Sequence, residues 1–136
     1  LNHATILYSS FECPCKAMLT VACVPPDLEI FADETQVSLC LINLVKNAMQ
    51  ANENNKEGHI HISASIANNH PVINVTDNGP GIPSDLIEEI FVPFFTTRQE
   101  GSGIGLSISR QIMRLHGGTL AVKSVPGKET VFKMVF

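Results

Sequence analysis

Apolar and polar positions alternate cleanly through "HIHISASIA", residues 59–67. Ile60, Ile62, Ala64 and Ile66 face one way; His59, His61, Ser63 and Ser65 face the other. This two-residue period predicts a half-buried strand. "NNHP" is turn chemistry, and "VINVTD" returns as the partner strand. In it Ile73, Val75 and Asp77 share a parity, so a carboxylate points to the same side as two core residues. Over residues 34–52 the period changes: Val37, Cys40, Leu41, Leu44, Ala48 and Ala51 recur at three and four. That spacing predicts an amphipathic helix, with Asp33 as its N-cap. A second helix is predicted over "LSISRQIMRLH" (106–116), stopped by Gly117-Gly118.

The remaining segments complete the order. "KAMLTVACV" (16–24) reads as a strand, "PPD" breaks it, and "LEIFAD" (28–33) reads as a short second strand. "GPGIPSDLIEEIFVPFF" is a loop with a short helix, and "TTRQEGSGIG" is a polar glycine-rich loop. "TLAVKSV" and "TVFKMVF" form a hairpin across "PGKE". The succession β-α-β-β-α-β-β predicts an α+β two-layer sandwich, a mixed sheet with helices on one face.

Composition narrows the function. The 136 residues suit one domain, and 44% hydrophobic content can bury a core. No apolar run reaches the roughly 18–20 residues of a membrane-spanning helix. Nine basic residues against 13 acidic, a net charge of −4, leave no broad nucleic-acid footprint. A bound polyanion therefore needs backbone amides, a metal ion or a few chosen side chains. Cys13, Cys15, Cys23 and Cys40 show no second Cys/His pair at zinc-ligand spacing. They read as inert thiols in a reducing, cytoplasmic setting. Leu1 in place of Met, with no signal-peptide pattern, reads as a piece of a longer protein. Residues 1–20 read as a linker or the end of a preceding helix, and 21–136 as the domain.

Four constellations carry candidate chemistry. Asp77 opens "DNGPGI": it either bends out as a turn starter or stays inside and accepts from a flat amino-bearing ligand such as adenine. Gly79 and Gly81 would then let backbone approach the ring. Asn43 and Asn47 lie one helical turn apart beside the apolar stripe. They are either a solvated edge or oxygen ligands for Mg²⁺, which takes few protein ligands plus phosphate oxygens and water. "GSGIGLS" (101–107) opens a helix with bare amides, an anion site in principle. It matches neither a P-loop nor a Rossmann turn. In "IFVPFFTTR", Phe91, Phe94 and Phe95 read as a core anchor, and Thr96, Thr97 and Arg98 begin the polar loop. Arg98 is either surface decoration or a phosphate clamp.

In this order these segments resemble the ATP-binding catalytic domain of two-component sensor histidine kinases. "NLVKNAMQA" resembles the N box, "DNGPGI" the G1 box, "IFVPFFTT" the F box and "GSGIGLSISRQIMRLHGG" the G2 box, over roughly residues 27–136. The short segment between the F and G2 boxes, with "PFFTT", is similar to the nitrogen-regulation subgroup. The resemblance implies the Bergerat fold with a mobile ATP lid, and ATP and Mg²⁺ as cofactors. It implies Asn47 as the metal ligand, Asp77 on the adenine amino group, and Gly79, Gly81 and Ile82 beneath the base. Thr97, Gly101, Ser102, Gly103, Gly105 and Leu106 would form the phosphate side, Thr130 the adenine side. Arg98 and Asn43 would act in catalysis, Arg98 on the γ-phosphate.

The implied partners are a dimerisation and histidine-phosphotransfer domain of the same protein and a response-regulator receiver domain. Neither nucleic acid nor a membrane is an implied contact. The sequence departs from the family pattern at Leu39, where Gln or Glu is common, and at Glu129, where glycine is common. No phosphoacceptor box surrounds His3, His59, His61, His70 or His116. His59 and His61 read as an exposed strand face, His116 as a helix-terminal residue. The rivals are a hydrolytic ATPase of the gyrase or MutL type, an anti-sigma-factor serine kinase, and a degenerate nucleotide-sensing module. In the hydrolytic relatives a glutamate stands where Asn43 stands here.

Overall fold

The computed structural model describes residues 18–93 and 105–136. Along the chain run β1 (Met18–Cys23), α1 (Glu34–Ala51), β2 (His59–Ala67), β3 (His70–Asp77), a 3-10 turn (Glu89–Phe91), α2 (Gly105–Leu115), β4 (Thr119–Val125) and β5 (Glu129–Val135). β1 takes in Met18, Leu19 and Thr20, which a domain start at residue 21 leaves to the linker.

The strands form one sheet in the order β1-β2-β3-β5-β4. β1 pairs with β2 in parallel; every other pair is antiparallel. A parallel pair needs a long crossover, and α1 supplies it between β1 and β2. β2 and β3 are closed by Asn68 and Asn69, both at positive φ (52° and 64°). Asparagine tolerates that left-handed conformation, which twists a two-residue hairpin correctly.

Asp33 caps α1: its side chain accepts from the Gln36 N–H at 2.9 Å. The apolar stripe of α1 lies on the inward face of β2, β3 and β5. Leu44, Val45, Ile60, Val75, Met113 and Met134 are fully enclosed there. α2 ends in a Schellman arrangement: Gly118 N–H donates to Met113 O at 2.9 Å and Gly117 N–H to Arg114 O at 3.0 Å. Gly117 has φ +73°, the left-handed state such a stop requires.

Residues 28–33 are not the short strand the sequence suggests. Ile30 and Ala32 pack against the core as a connecting segment leading into the α1 cap. A strand also needs backbone pairing with a neighbour, and residues 28–33 take no place in the sheet.

Candidate functional site

The end of β3 brings the first site residue inside. Asp77 follows Ile73 and Val75 on the core face and is 4% exposed. Its Oδ1 accepts from the Gly79 N–H at 2.9 Å, and the polar Asn52 side chain beside it favours the charged form. Burial pushes the Asp77 carboxyl above its ordinary range; the Gly79 N–H and the nearby Asn52 side chain offset only part of that. Asp77 therefore does not bend out as a turn starter.

Asn52 is a residue that sequence reasoning missed. It ends α1, is 1% exposed, and donates through Nδ2 to Ala48 O at 2.8 Å. Its Oδ1 accepts from Asn55 Nδ2 at 3.1 Å. In sequence it looked like the first residue of a polar loop. A buried amide needs every partner it can find; Ala48 and Asn55 are local, and only the approach to Asp77 depends on α1 lying beside β3.

The two glycines serve different ends. A Cβ on Gly79 would stand 2.8 Å from Asp77 Oδ1 and 3.1 Å from Ala51 O. Glycine there keeps open the space between the carboxylate and the end of α1. Gly81 has φ +75°, and a Cβ there would meet Val125 O at 2.6 Å and the Pro126 Cα at 2.9 Å. Its constraint is the close approach of the β4–β5 turn. Gly127 N–H donates to Pro80 O at 2.6 Å, and Ile82 N–H donates to Ser124 Oγ at 2.7 Å.

Ser124 is thus the fastener of the 77–82 loop. Its hydroxyl accepts from Ile82, donates to Glu129 O at 2.9 Å, and lies 3.0 Å from Thr130 Oγ1. Thr130 is 4% exposed and pairs directly with Asp77 across β3 and β5. Ile82 is half-buried against the core. Nothing in "TLAVKSV" marks Ser124 out, because its partners come from another strand and a distant loop. Ser124→Ala leaves the Ile82 amide without its acceptor, which costs about 1–3 kcal/mol. Chemical denaturation should show that loss. Hydrogen exchange should show the Ile82 amide opening more readily than in the parent protein.

On α1, Asn43 and Asn47 do share a face, but they differ. Asn43 is committed to α2: its Nδ2 donates to Gly105 O and to Ser109 Oγ, both at 3.3 Å. Ser109, fully buried, donates to Gly105 O at 2.8 Å. Asn43 therefore holds the first turn of α2 against α1. Asn47 is half-buried and, among the described residues, nothing is hydrogen-bonded to its side chain. It offers a hard amide oxygen. Among the described residues no group of three or more His, Cys, Asp or Glu could hold a metal. A hard cation at Asn47 would thus depend on ligand oxygens and water, which suits Mg²⁺.

Gly105 and Leu106 open α2, with Leu106 packed on the core. Phe91 is half-buried there, and the Arg110 guanidinium lies 4.5 Å from its ring centroid. Phe94, Phe95, Thr96, Thr97, Arg98, Gly101, Ser102 and Gly103 lie outside the described residues. His116 is more than a helix-terminal charge. Its Nε2 accepts from the Asp33 N–H at 3.1 Å and its Nδ1–H donates to Ile112 O at 2.8 Å. Those partners assign the neutral Nδ1–H tautomer and tie the start of α1 to the end of α2.

Residues 32–136 match the family described as histidine kinase-, DNA gyrase B-, and HSP90-like ATPase. The chain is 42% identical over 106 residues to the sensor histidine kinase ZraS of Escherichia coli O157:H7, spanning 78% of this chain and 23% of that protein. It is 39% identical over 108 residues to the C4-dicarboxylate transport sensor protein DctB of Rhizobium meliloti (strain 1021), 79% of this chain and 17% of that one. The chain therefore spans less than a quarter of these relatives. The catalytic domain of histidine kinase ThkA superposes with a TM-score of 0.79 at 31% identity, over 98% of this chain and 89% of that one. No helix among the described residues is long and apolar enough to cross a membrane.

Proposed function

We propose, because this chain belongs to the histidine kinase-, DNA gyrase B- and HSP90-like ATPase family and aligns along its length with a histidine-kinase catalytic domain, that it is the ATP-holding half of a histidine autokinase. It binds Mg·ATP and presents the γ-phosphate to a histidine on a separate dimerisation domain of the same protein. A response-regulator receiver domain then takes the phosphoryl group. The observation that carries this reading is Asp77, a buried carboxylate beside a glycine whose missing side chain leaves room for a flat base.

The division of labour follows from the chemistry of each group. Asp77 accepts from the adenine amino group, in a pocket where burial makes a charge-assisted bond strong. Gly79 keeps the carboxylate accessible. Ser124 and the Gly127 amide hold the 77–82 loop, so the base meets a surface already in place. Asn47 supplies an amide oxygen to Mg²⁺, which when bound neutralises phosphate charge. Arg98 and the amides of Gly101, Ser102 and Gly103 serve the phosphate side.

Asn43 separates this reading from a hydrolytic ATPase. An amide cannot take a proton from water at neutral pH, and its nitrogen is already donating to α2. The chain should thus bind Mg·ATP, hydrolyse it very slowly, and fail to label itself with γ-labelled ATP. Supplying the native dimerisation helices in trans should give base-stable, acid-labile labelling on histidine. Robust self-labelling, or phosphate release at the rate of dedicated ATPases, contradicts the donor role.

A further inference from the structure

The sheet face opposite the helices carries a constellation of its own. Ile60 and Ile62 fill the core, so the alternating His59 and His61 project from the other side. The parallel register of β1 places Met18 beside His59 and Thr20 beside His61. Thr20 Oγ1 lies 3.0 Å from His59 Nε2 and 2.6 Å from His61 Nδ1. The two rings are stacked, with centroids 6.3 Å apart and planes inclined by 27°. Both rings are half-buried.

Two imidazole nitrogens from one strand thus converge on one oxygen from its neighbour. A hydroxyl has a single proton. It donates to one ring nitrogen and accepts an N–H from the other. One ring lone pair is therefore already aimed at the shared point. The second becomes available when that ring's proton moves to its far nitrogen, a change of tautomer that leaves the net charge unaltered. The three donors are then two neutral imidazoles and a hydroxyl, with the exposed Met18 thioether at the next register position. Imidazole suits Zn²⁺, Cu²⁺ and Ni²⁺, whereas Mg²⁺ prefers oxygen ligands and octahedral water.

We propose that His59, His61 and Thr20 form a binding site for a divalent late transition-metal ion, on the sheet face away from Asp77 and Asn47. The site is independent of the nucleotide reading. It needs only the β1–β2 register and the two ring nitrogens. Water completes the coordination.

A Zn²⁺ titration of the 136-residue chain, followed through the imidazole NMR signals, tests it. The His59 and His61 rings should shift together and saturate at one equivalent, while those of His70 and His116 stay in place. Mg²⁺ should move neither pair. Thr20→Val should weaken Zn²⁺ binding about tenfold, and His61→Gln should abolish the His59 shift. Unchanged methyl signals from Ile60 and Ile62 would show that each variant keeps its sheet. Zn²⁺ binding that leaves the His59 and His61 rings unmoved, as a cysteine site would, overturns the proposal. So does parental affinity in His61→Gln.

Discussion

Asp77→Asn should bind ATP at least about tenfold more weakly than the parent, because it removes a charge-assisted hydrogen bond worth about 1.5–3 kcal/mol. The substitution keeps an oxygen that can accept from the Gly79 N–H, so the loop retains its anchor. What changes is the pattern offered to the adenine amino group. Stability should move the other way. Burial is the largest influence on Asp77 and raises its carboxyl above the ordinary range. Between the unfolded and folded values the native state holds more protons than the unfolded chain. Stability therefore falls as pH rises through that window and stays reduced above it. Removing the charge should leave the melting temperature at neutral pH unchanged or higher, and that advantage should vanish below the ordinary aspartate range. Calorimetry with ATP and thermal unfolding at both pH values check the two halves. Undiminished ATP affinity in the folded variant would remove adenine from this site.

Asn47→Ala should cut phosphotransfer to the dimerisation helices by about a hundredfold or more, since metal neutralisation of a transferring phosphoryl group is worth several kcal/mol. The same change should cost little stability. Among the described residues nothing is bonded to the Asn47 side chain, and alanine is the better helix former. Asn43→Ala is the contrasting case. It leaves the Asn47 position intact but loses the bonds to Gly105 and Ser109, so it should loosen α2 and lower the melting temperature. Labelling assays at increasing Mg²⁺, paired with thermal unfolding, separate a metal ligand from a helix fastener. Full Mg²⁺-dependent transfer by Asn47→Ala would leave Asn47 a helix edge.

Much of this site is legible in the sequence because local periodicity encodes it. The alternation of "HIHISASIA", the stripe of α1 and the Asp33 cap all depend on neighbours within a few residues. The inward parity of Asp77 follows from a period of two carried along one strand, and the Gly117 stop at the end of α2 from a backbone conformation few other residues accept. The sequence alone left two outcomes open for Asp77, and the fold chose the buried one.

The tertiary structure decided what depends on partners far apart in the chain. Ser124 meets Ile82 across 42 residues, and His116 meets Asp33 across 83. Asn43 and Asn47 look alike on a helix face; only the docking of α2 ties up one and leaves the other, among the described residues, unbonded. Gly81 reads as a place for a ligand to approach; the structure adds that the β4–β5 turn fills the space a side chain there would need. Residues 28–33 read as a strand, yet they pair with no strand of the sheet and instead lead into the α1 cap. In each case side-chain type limits which bonds can form, and the position of a distant backbone determines which one does.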